Sequence, residues 1–496
     1  MSSIPVDQRG AVADTARLGT RWVLAALSLC VLLSSLGTSI ANVALPTLAS
    51  ALGVPFQQVQ WVVLAYLLAM TTLIVSVGRL GDLVGRRRML LAGLALFTGA
   101  SALCGLAPGL GVLVAARAAQ GLGASAMMAL ALAFVSGSVP GDRVGRAMGL
   151  MGTMSAVGTA LGPSLGGVLI AVLGWRAIFL VNLPLGGLAL LLAWRALPVG
   201  GDRAEGGRPA DAAGRTGFDG VGTVLLGGTL ALYALAMTLG RGQWGSLNLA
   251  LLAGAVVGAG LFVMVEARVP SPLVRLRLLR DPVVGPGLVG SAAVATVMAT
   301  TFVVGPFYLA RALGLSPAGV GLVMSAGPLM SALAGVPAGR LVDRFGAGRI
   351  SIIGLGAMVA GTALMASAGL VLKGPIMGIA GYVGPIAVLT AGYALFQAAN
   401  NTAVMSGVPA DRRGVVSGIL NLSRNLGLIT GASAMGAVFT LAAGVPDITA
   451  APAAAVASGM YITFLVAGGL VTLALLLMAV SGGRMRKEEG TSGRGS

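Results

Sequence analysis

The sequence has no histidine, only 15 acidic residues and only two cysteines among 496 residues. Each scarcity excludes something. Without histidine there is no imidazole to bind zinc, to act as a general base or to titrate near neutral pH. Charged residues are 9% of the chain, where soluble domains carry about 25%. A soluble enzyme or binding module is thereby excluded. A disordered chain is excluded too, because disorder needs low hydrophobicity with high charge. Cys30 and Cys104 both sit inside apolar runs, so they read as small packing residues and no disulfide is expected. No G-x-x-x-x-G-K-[ST] motif is present, which removes the phosphate cradle for direct ATP drive. An intramembrane enzyme would need H-E-x-x-H, a Ser–His pair or paired carboxylates within the apolar runs, and these are missing as well.

What the sequence has is apolar length. Hydrophobic residues make up 56%, glycines number 78, and the mean hydropathy is +0.94. Fourteen stretches are each long enough for an apolar helix to cross a bilayer. They cover 22–46, 58–78, 89–107, 110–136, 146–173, 177–197, 219–240, 247–267, 283–309, 317–341, 350–372, 376–406, 413–443 and 456–481. Alternating ten-residue segments of the β-barrel kind are absent. The expectation is an all-α polytopic membrane protein. The first run is too long for a signal-peptide core and has no evident cleavage site, so it is expected to stay as the first helix.

Most of the 32 Lys and Arg residues fall in the two tails and in alternate loops, among them Arg86–Arg87–Arg88, Arg143, Arg146, Arg340, Arg349, Arg412 and Arg413. The opposite loops hold only Arg176, Arg241, Arg311 and Lys373. The positive-inside rule then puts both termini in the cytoplasm, as an even number of crossings requires. The same bias accounts for most of the +17 net charge, so no nucleic-acid partner is expected. Segment 198–218 is rich in Gly, Arg and Asp and reads as a cytoplasmic linker; the tail after Ser481 reads as disordered.

Residues 78–88 read G-R-L-G-D-L-V-G-R-R-R and residues 339–349 read G-R-L-V-D-R-F-G-A-G-R, a repeat at a constant offset of 261 residues. If each copy follows the second helix of a six-helix unit, the units are helices 1–6 and 9–14, with helices 7 and 8 inserted. Parallel repeats flanking a midplane site are one architecture of secondary transporters. The predicted organisation is a tail over 1–21, a bundle over 22–197, the linker 198–218, inserted helices over 219–267, a cytoplasmic loop over 268–282, a second bundle over 283–481 and a tail over 482–496.

The motifs resemble the major facilitator superfamily, in its 14-helix drug:proton antiporter branch. The resemblance rests on Gly78, Asp82, Gly85 and Arg86 in the repeated loop, and on Asn42-Val43-Ala44-Leu45-Pro46 at the end of helix 1. Gln60-Trp61 and Tyr66 in helix 2, Arg117-x-x-Gln120-Gly121 in helix 4, and Gly158-x-x-x-Gly162-Pro163-x-x-Gly166-Gly167 in helix 5 carry it further. Trp175-Arg176, Phe179, Asn182 and Pro184 complete it. It implies alternating access by two rocking bundles, export of small amphipathic compounds, a proton gradient as energy source with no bound cofactor, and a monomer in the bacterial inner membrane in contact with lipid.

The resemblance also implies roles. Gly78, Asp82, Gly85 and Arg86, with Asp343 and Arg344 in the second copy, form a cytoplasmic latch; a plain topogenic charge cluster is the alternative. Gly158, Gly162 and Gly166 fall on one helical face and allow close backbone approach, while Pro163 bends the helix. With Gly167 they are assigned to the conformational change, generic packing being the rival reading. Arg117 lies about two turns into an apolar run, where an arginine is costly unless partnered. The family implicates it in proton coupling with Gln120; snorkelling to the interface is the alternative. Arg424 either binds substrate or holds the second bundle together. Asn42, Tyr66, Asn400 and Asn401 are candidate cavity residues, the two adjacent asparagines serving either the cavity or helix contacts.

One departure matters. The branch carries an acid in helix 1 five residues before Asn42, and here that residue is Gly37. All 15 acids fall in tails, loops or helix ends, with Asp219 and Glu266 nearest the membrane. Three readings follow: Asp82 or another boundary carboxylate takes the proton, the substrate itself carries the proton or charge, or transport runs without protons. A cavity with arginine and without carboxylate favours neutral or anionic cargo, and a carrier without proton coupling through helix 1 is the alternative function. A receptor or structural membrane protein is the remote one, against which the repeated motif argues.

Overall fold

The computed structural model describes residues 6–138, 141–197, 219–239, 245–269, 281–371, 375–406, 413–445 and 447–492. The linker 198–218, Arg241, and most of the predicted loop 268–282 lie outside the described residues. Among the described residues there is no strand. Fourteen helices are long and apolar enough to cross a membrane. We number these spans α1 (Arg21–Val43), α2 (Phe56–Ile74), α3 (Arg86–Leu106), α4 (Leu110–Val135), α5 (Leu150–Leu173), α6 (Ala177–Ala196) and α7 (Gly220–Thr238). The remainder are α8 (Ser246–Glu266), α9 (Val284–Ala312), α10 (Pro317–Phe345), α11 (Ala347–Ser367), α12 (Gly378–Ser406), α13 (Gly418–Ala443) and α14 (Ala453–Val480).

Several helices outrun their apolar cores. The helix of α1 starts at Val6, and that of α2 continues to Val84. The helix of α14 runs Ala453–Ser492, so the tail expected to be disordered continues the last helix as far as Ser492. Hydropathy marks where lipid contact ends, whereas helical hydrogen bonding propagates through polar residues that carry no breaker. A short helix, Leu45–Leu52, lies between α1 and α2, and a second, Phe56–Val59, forms the first turn of α2; hydropathy does not separate either from its neighbours.

Three packing patterns repeat. Helix α1 lies along α5 as α9 lies along α13, and α2 packs on α4 as α10 packs on α12. Likewise α3 packs on α6 as α11 packs on α14. These correspondences shift by eight helices and define two six-helix bundles, α1–α6 and α9–α14. The repeated sequence motif is part of the same symmetry. The second glycine shared by both copies is Gly85 (φ 103°) in one and Gly346 (φ 83°) in the other. Each is the single residue between two helices, in a conformation that a side chain disfavours.

The inserted helices α7 and α8 pack on one another, and α7 also touches α2 of one bundle and α13 of the other. The Trp61 indole donates to Thr238 Oγ1 at 3.1 Å, and the Ser76 and Thr223 hydroxyls are 2.7 Å apart. On the other side the Tyr233 hydroxyl meets Thr430 and Ser433. Helix α8 exposes Leu247, Leu249, Val256 and Val257, a face suited to lipid.

The bundles meet mainly at the end opposite the two termini. Phe56 packs edge-on to Phe307 of α9 (centroids 4.7 Å apart) and to Phe439 of α13 (5.8 Å). Gln60 Nε2 donates to Ala432 O at 2.9 Å. Nearby, Gly167 of α5 abuts α10: a Cβ there would fall 2.7 Å from Pro317 O and 2.9 Å from Gly321 Cα. Toward the terminal end α10 loses its neighbours. Ala332, Leu333, Gly335, Val336 and Pro337 are all exposed, more than one helix face can account for, and Gly152 of α5 faces open space. The molecule is closed at the far end and parted at the terminal end.

Candidate functional site: a cavity between the bundles

Between the bundles lies a cavity of about 860 Å³, part of it open to solvent. One wall is polar and uncharged, built by α1 and α5. Ser35, Thr38, Ser39 and Asn42 line it at helical spacing, joined by Ser155 and Thr159. These groups have mostly spent their hydrogens on their own helices. Thr38 donates to Ser34 O at 3.0 Å, Ser39 to Ser35 O at 3.2 Å and Thr159 to Ser155 O at 2.9 Å. Asn42 Nδ2 donates to Thr38 O at 3.0 Å, which leaves its carbonyl oxygen as an acceptor.

The opposite wall is α13, with Asn421, Arg424 and Asn425. Among the described residues Arg424 makes no ion pair, and its buried Nε has no hydrogen-bond partner. Nor has Asn425 Nδ2, on a side chain only 7% exposed. Between these walls the lining is apolar: Val63, Leu67, Met70, Ile74, Met128, Phe302, Val303 and Leu428 among others. No acidic residue lines the cavity among the described residues.

Arg117 lies elsewhere. It is fully buried inside the first bundle, with Nε donating to Val62 O at 2.8 Å and Nη1 bonded to Gln120 Oε1. Gln120 Nε2 in turn donates to Ser101 Oγ at 2.6 Å. The guanidinium lies over the Tyr66 ring, 4.3 Å from its centroid, and Tyr66 donates its hydroxyl hydrogen to Ser34 O at 2.9 Å. Gly37 belongs to this cluster: a Cβ there would lie 3.3 Å from Tyr66 Oη and from the Phe97 ring. The branch's missing acid would therefore stand beside the ring that carries Arg117, away from the cavity lining.

The other sequence candidates separate clearly. Asn42 and Arg424 line the cavity on opposite walls. Asn400 is buried and donates to Gly287 O of α9 at 3.1 Å, while its neighbour Asn401 is exposed. Gly158, Gly162 and Gly166 all face α1, where added Cβ atoms would strike Leu32 O, Ser39 and Val43 respectively. Pro163 is buried at the α5–α10 crossing. In the repeated motif Arg86, Asp343 and Arg344 are exposed. The surroundings of Gly78 and of the Asp82 side chain lie outside the described residues.

Sequence reasoning missed the hydroxyls of the first wall, although Ser35, Thr38, Ser39 and Asn42 form an i, i+3, i+4, i+7 stripe that periodicity can find. It also missed that Asp219 and Glu266 converge. A Cβ on Gly222 would lie 2.5 Å from Asp219 Oδ2 and 2.7 Å from Glu266 Oε1. Both acids are buried, and Asp219 caps its helix by accepting from Gly222 N at 2.7 Å.

Comparison with known proteins agrees with this architecture. The profile of the Major Facilitator Superfamily matches residues 27–432 and again 289–494. The chain is 34% identical over 396 residues to the uncharacterized transporter YebQ of Escherichia coli, covering 80% of this chain and 84% of the relative. It is 35% identical over 415 residues to the multidrug resistance protein Stp of Mycobacterium tuberculosis (80% and 72% covered). It is 31% identical over 422 residues to the riboflavin transporter RibZ of Clostridioides difficile (84% and 88%). Among solved structures, a bacterial homologue of the human lysosomal transporter Spinster, inward-facing and unoccupied, aligns with TM-score 0.65 at 16% identity, covering 93% of this chain and 97% of that one. Helix content, repeat, cavity and relatives converge on one assignment: this chain belongs to the Major Facilitator Superfamily and is a membrane transporter, with no enzyme among these relatives.

Proposed function

We propose that this protein exports small amphipathic compounds across a bacterial inner membrane, by alternating access and at the expense of the proton gradient. The observation that carries the reading is the cavity between the two bundles, polar on two walls and apolar between them, in a chain with drug-efflux relatives. In this reading both termini are cytoplasmic, so the parted end faces the cytoplasm and the closed end faces outward. Cargo enters from the cytoplasm or the inner leaflet. The bundles then rock: the contacts of Phe56, Gln60 and Gly167 open, and the repeated loops around Gly85 and Gly346 approach each other. Gly158, Gly162 and Gly166 keep α5 fixed on α1 while Gly167 slides against α10, so one helix serves both a rigid and a moving contact. The protein acts as a monomer, since one chain supplies both walls.

The proton site in this reading lies outside the cavity, which has no carboxylate among its described lining residues. Asp219 and Glu266 are the buried acids among the described residues. A second reading, favoured by Gly37 and the acid-free cavity, is a carrier of neutral or anionic solutes with no proton coupling through helix 1. Transport into inverted vesicles separates them. Accumulation of chloramphenicol or ethidium that collapses with the pH gradient supports proton-driven export. Accumulation indifferent to the gradient favours the second reading, and movement of neither compound counts against the multidrug reading.

A further inference from the structure

The two polar walls of the cavity are complementary in hydrogen-bonding sense, and this restricts the cargo. On α1 and α5 the hydroxyl hydrogens of Thr38, Ser39 and Thr159 are already given to helix carbonyls. That wall therefore presents oxygen lone pairs and asks for donors. On α13 the sense is reversed. Arg424 Nε and Asn425 Nδ2 are buried donors with no acceptor, one residue apart in sequence and on the same cavity wall. Arg424 is half-buried with its Nε shielded and has no counter-charge among the described residues, an arrangement that costs in proportion to its desolvation, and no acidic residue lines this cavity among the described residues. A cationic cargo would add a second positive charge to the same partly solvated cavity.

The geometry points to an anionic amphiphile as the cargo class: an apolar, ring-sized body with a carboxylate or equivalent acceptor at one end and hydroxyl or N–H donors at the other. The anionic end sits on Arg424 and Asn425. The donor end sits on the α1–α5 wall around Thr38, and the body lies against Met70, Met128 and Phe302. The inference rests on the transport reading only in taking the cavity as the place where cargo binds.

The test uses two dyes on one xanthene body, in mildly acidic buffer below the ionisation of the fluorescein phenol: fluorescein, then with a carboxylate and a phenolic hydroxyl, and rhodamine 123, a cationic ester. Binding to the purified full-length protein is read by fluorescence polarisation, and movement is read in proteoliposomes. The expected result is preferential binding of fluorescein. Arg424→Gln should weaken that binding about 10- to 100-fold, the scale of a lost charge-assisted contact. Arg424→Lys keeps the charge and should recover part of it. Asn425→Asp, which adds a carboxylate to the same wall, should weaken fluorescein and admit rhodamine 123. Thermal unfolding of each variant separates misfolding from a lost contact. Preference for rhodamine 123, no binding of fluorescein, or fluorescein binding indifferent to Arg424→Gln and Asn425→Asp in folded protein would overturn the assignment. The transport reading fails separately: fluorescein that binds with this charge dependence but does not move leaves the cargo class standing and removes the exporter.

Discussion

Arg117 and Arg424 are both arginines in apolar helices, and their surroundings give them different work. Arg117 is held by the Val62 carbonyl, Gln120 and the Tyr66 ring, so it stabilises the first bundle in the present state. Arg117→Ala is expected to destabilise the protein by about 2–4 kcal/mol, the range for losing buried charged hydrogen bonds with truncation. Lysine cannot reach both Val62 O and Gln120 with one ammonium and should restore only part of this; thermal unfolding in detergent measures both. Asp219 offers a cleaner separation. Asparagine caps a helix as well as aspartate does, so Asp219→Asn should leave stability nearly unchanged. If the carboxyl carries the coupled proton, the same variant should abolish the dependence of transport on the pH gradient. Unchanged gradient dependence would remove Asp219 from the coupling route. Residue roles were the least legible part of the sequence. Asn400 and Asn401 are adjacent and chemically equal, yet a turn of about 100° per residue buries one against α9 and exposes the other. Position 37 announced a missing acid, but only packing shows that its neighbours are Tyr66 and Phe97.

At the scale of elements, α5 is the most informative helix. Its glycines at spacing four lie on α1, and the next residue, Gly167, lies on α10. Gly162→Val would drive a side chain into Ser39 and should reduce folded yield, since overpacking of this kind costs about 1–3 kcal/mol or more. Gly167→Leu acts on a contact between bundles. Its nearest neighbours are backbone atoms of α10 that cannot turn away as a side chain would. It should leave each bundle intact and disfavour the closed far end, which appears as faster labelling of cysteines placed near Gln60. The element count was legible because fourteen runs of bilayer length leave little freedom. The helix extending to Ser492 was not, because its last turns are polar. Nor were the short helices Leu45–Leu52 and Phe56–Val59, which lie where apolar runs merge. The turn glycines of the repeat, Gly85 and Gly346, were legible, since positive φ at one position leaves glycine as the residue that fits.

At the scale of the whole molecule, the claim is that two bundles pivot around one cavity, opening one end as the other closes. The repeat pointed to two bundles, and the family resemblance implied the pivot between them. It could not give the state, which depends on contacts between helices far apart in the chain, such as Gln60 with Ala432. That hydrogen bond holds the far end shut. Its loss in Gln60→Ala should shift the balance between states by about 1 kcal/mol, roughly fivefold in population. Helix α7 touches both α2 and α13, so in the proposed pivot the inserted pair would shear against one bundle when the other moves. The most direct test is a pair of spin-label distances in the protein lacking Cys30 and Cys104. One pair, at Leu150 and Leu333, spans the parted end; the other, at Val172 and Arg311, spans the closed end. All four sites are exposed. Gly167→Leu with Gln60→Ala is the perturbation. The account predicts that the Val172–Arg311 distance lengthens while the Leu150–Leu333 distance shortens in the same population. A far end that opens with the terminal end unmoved would contradict it.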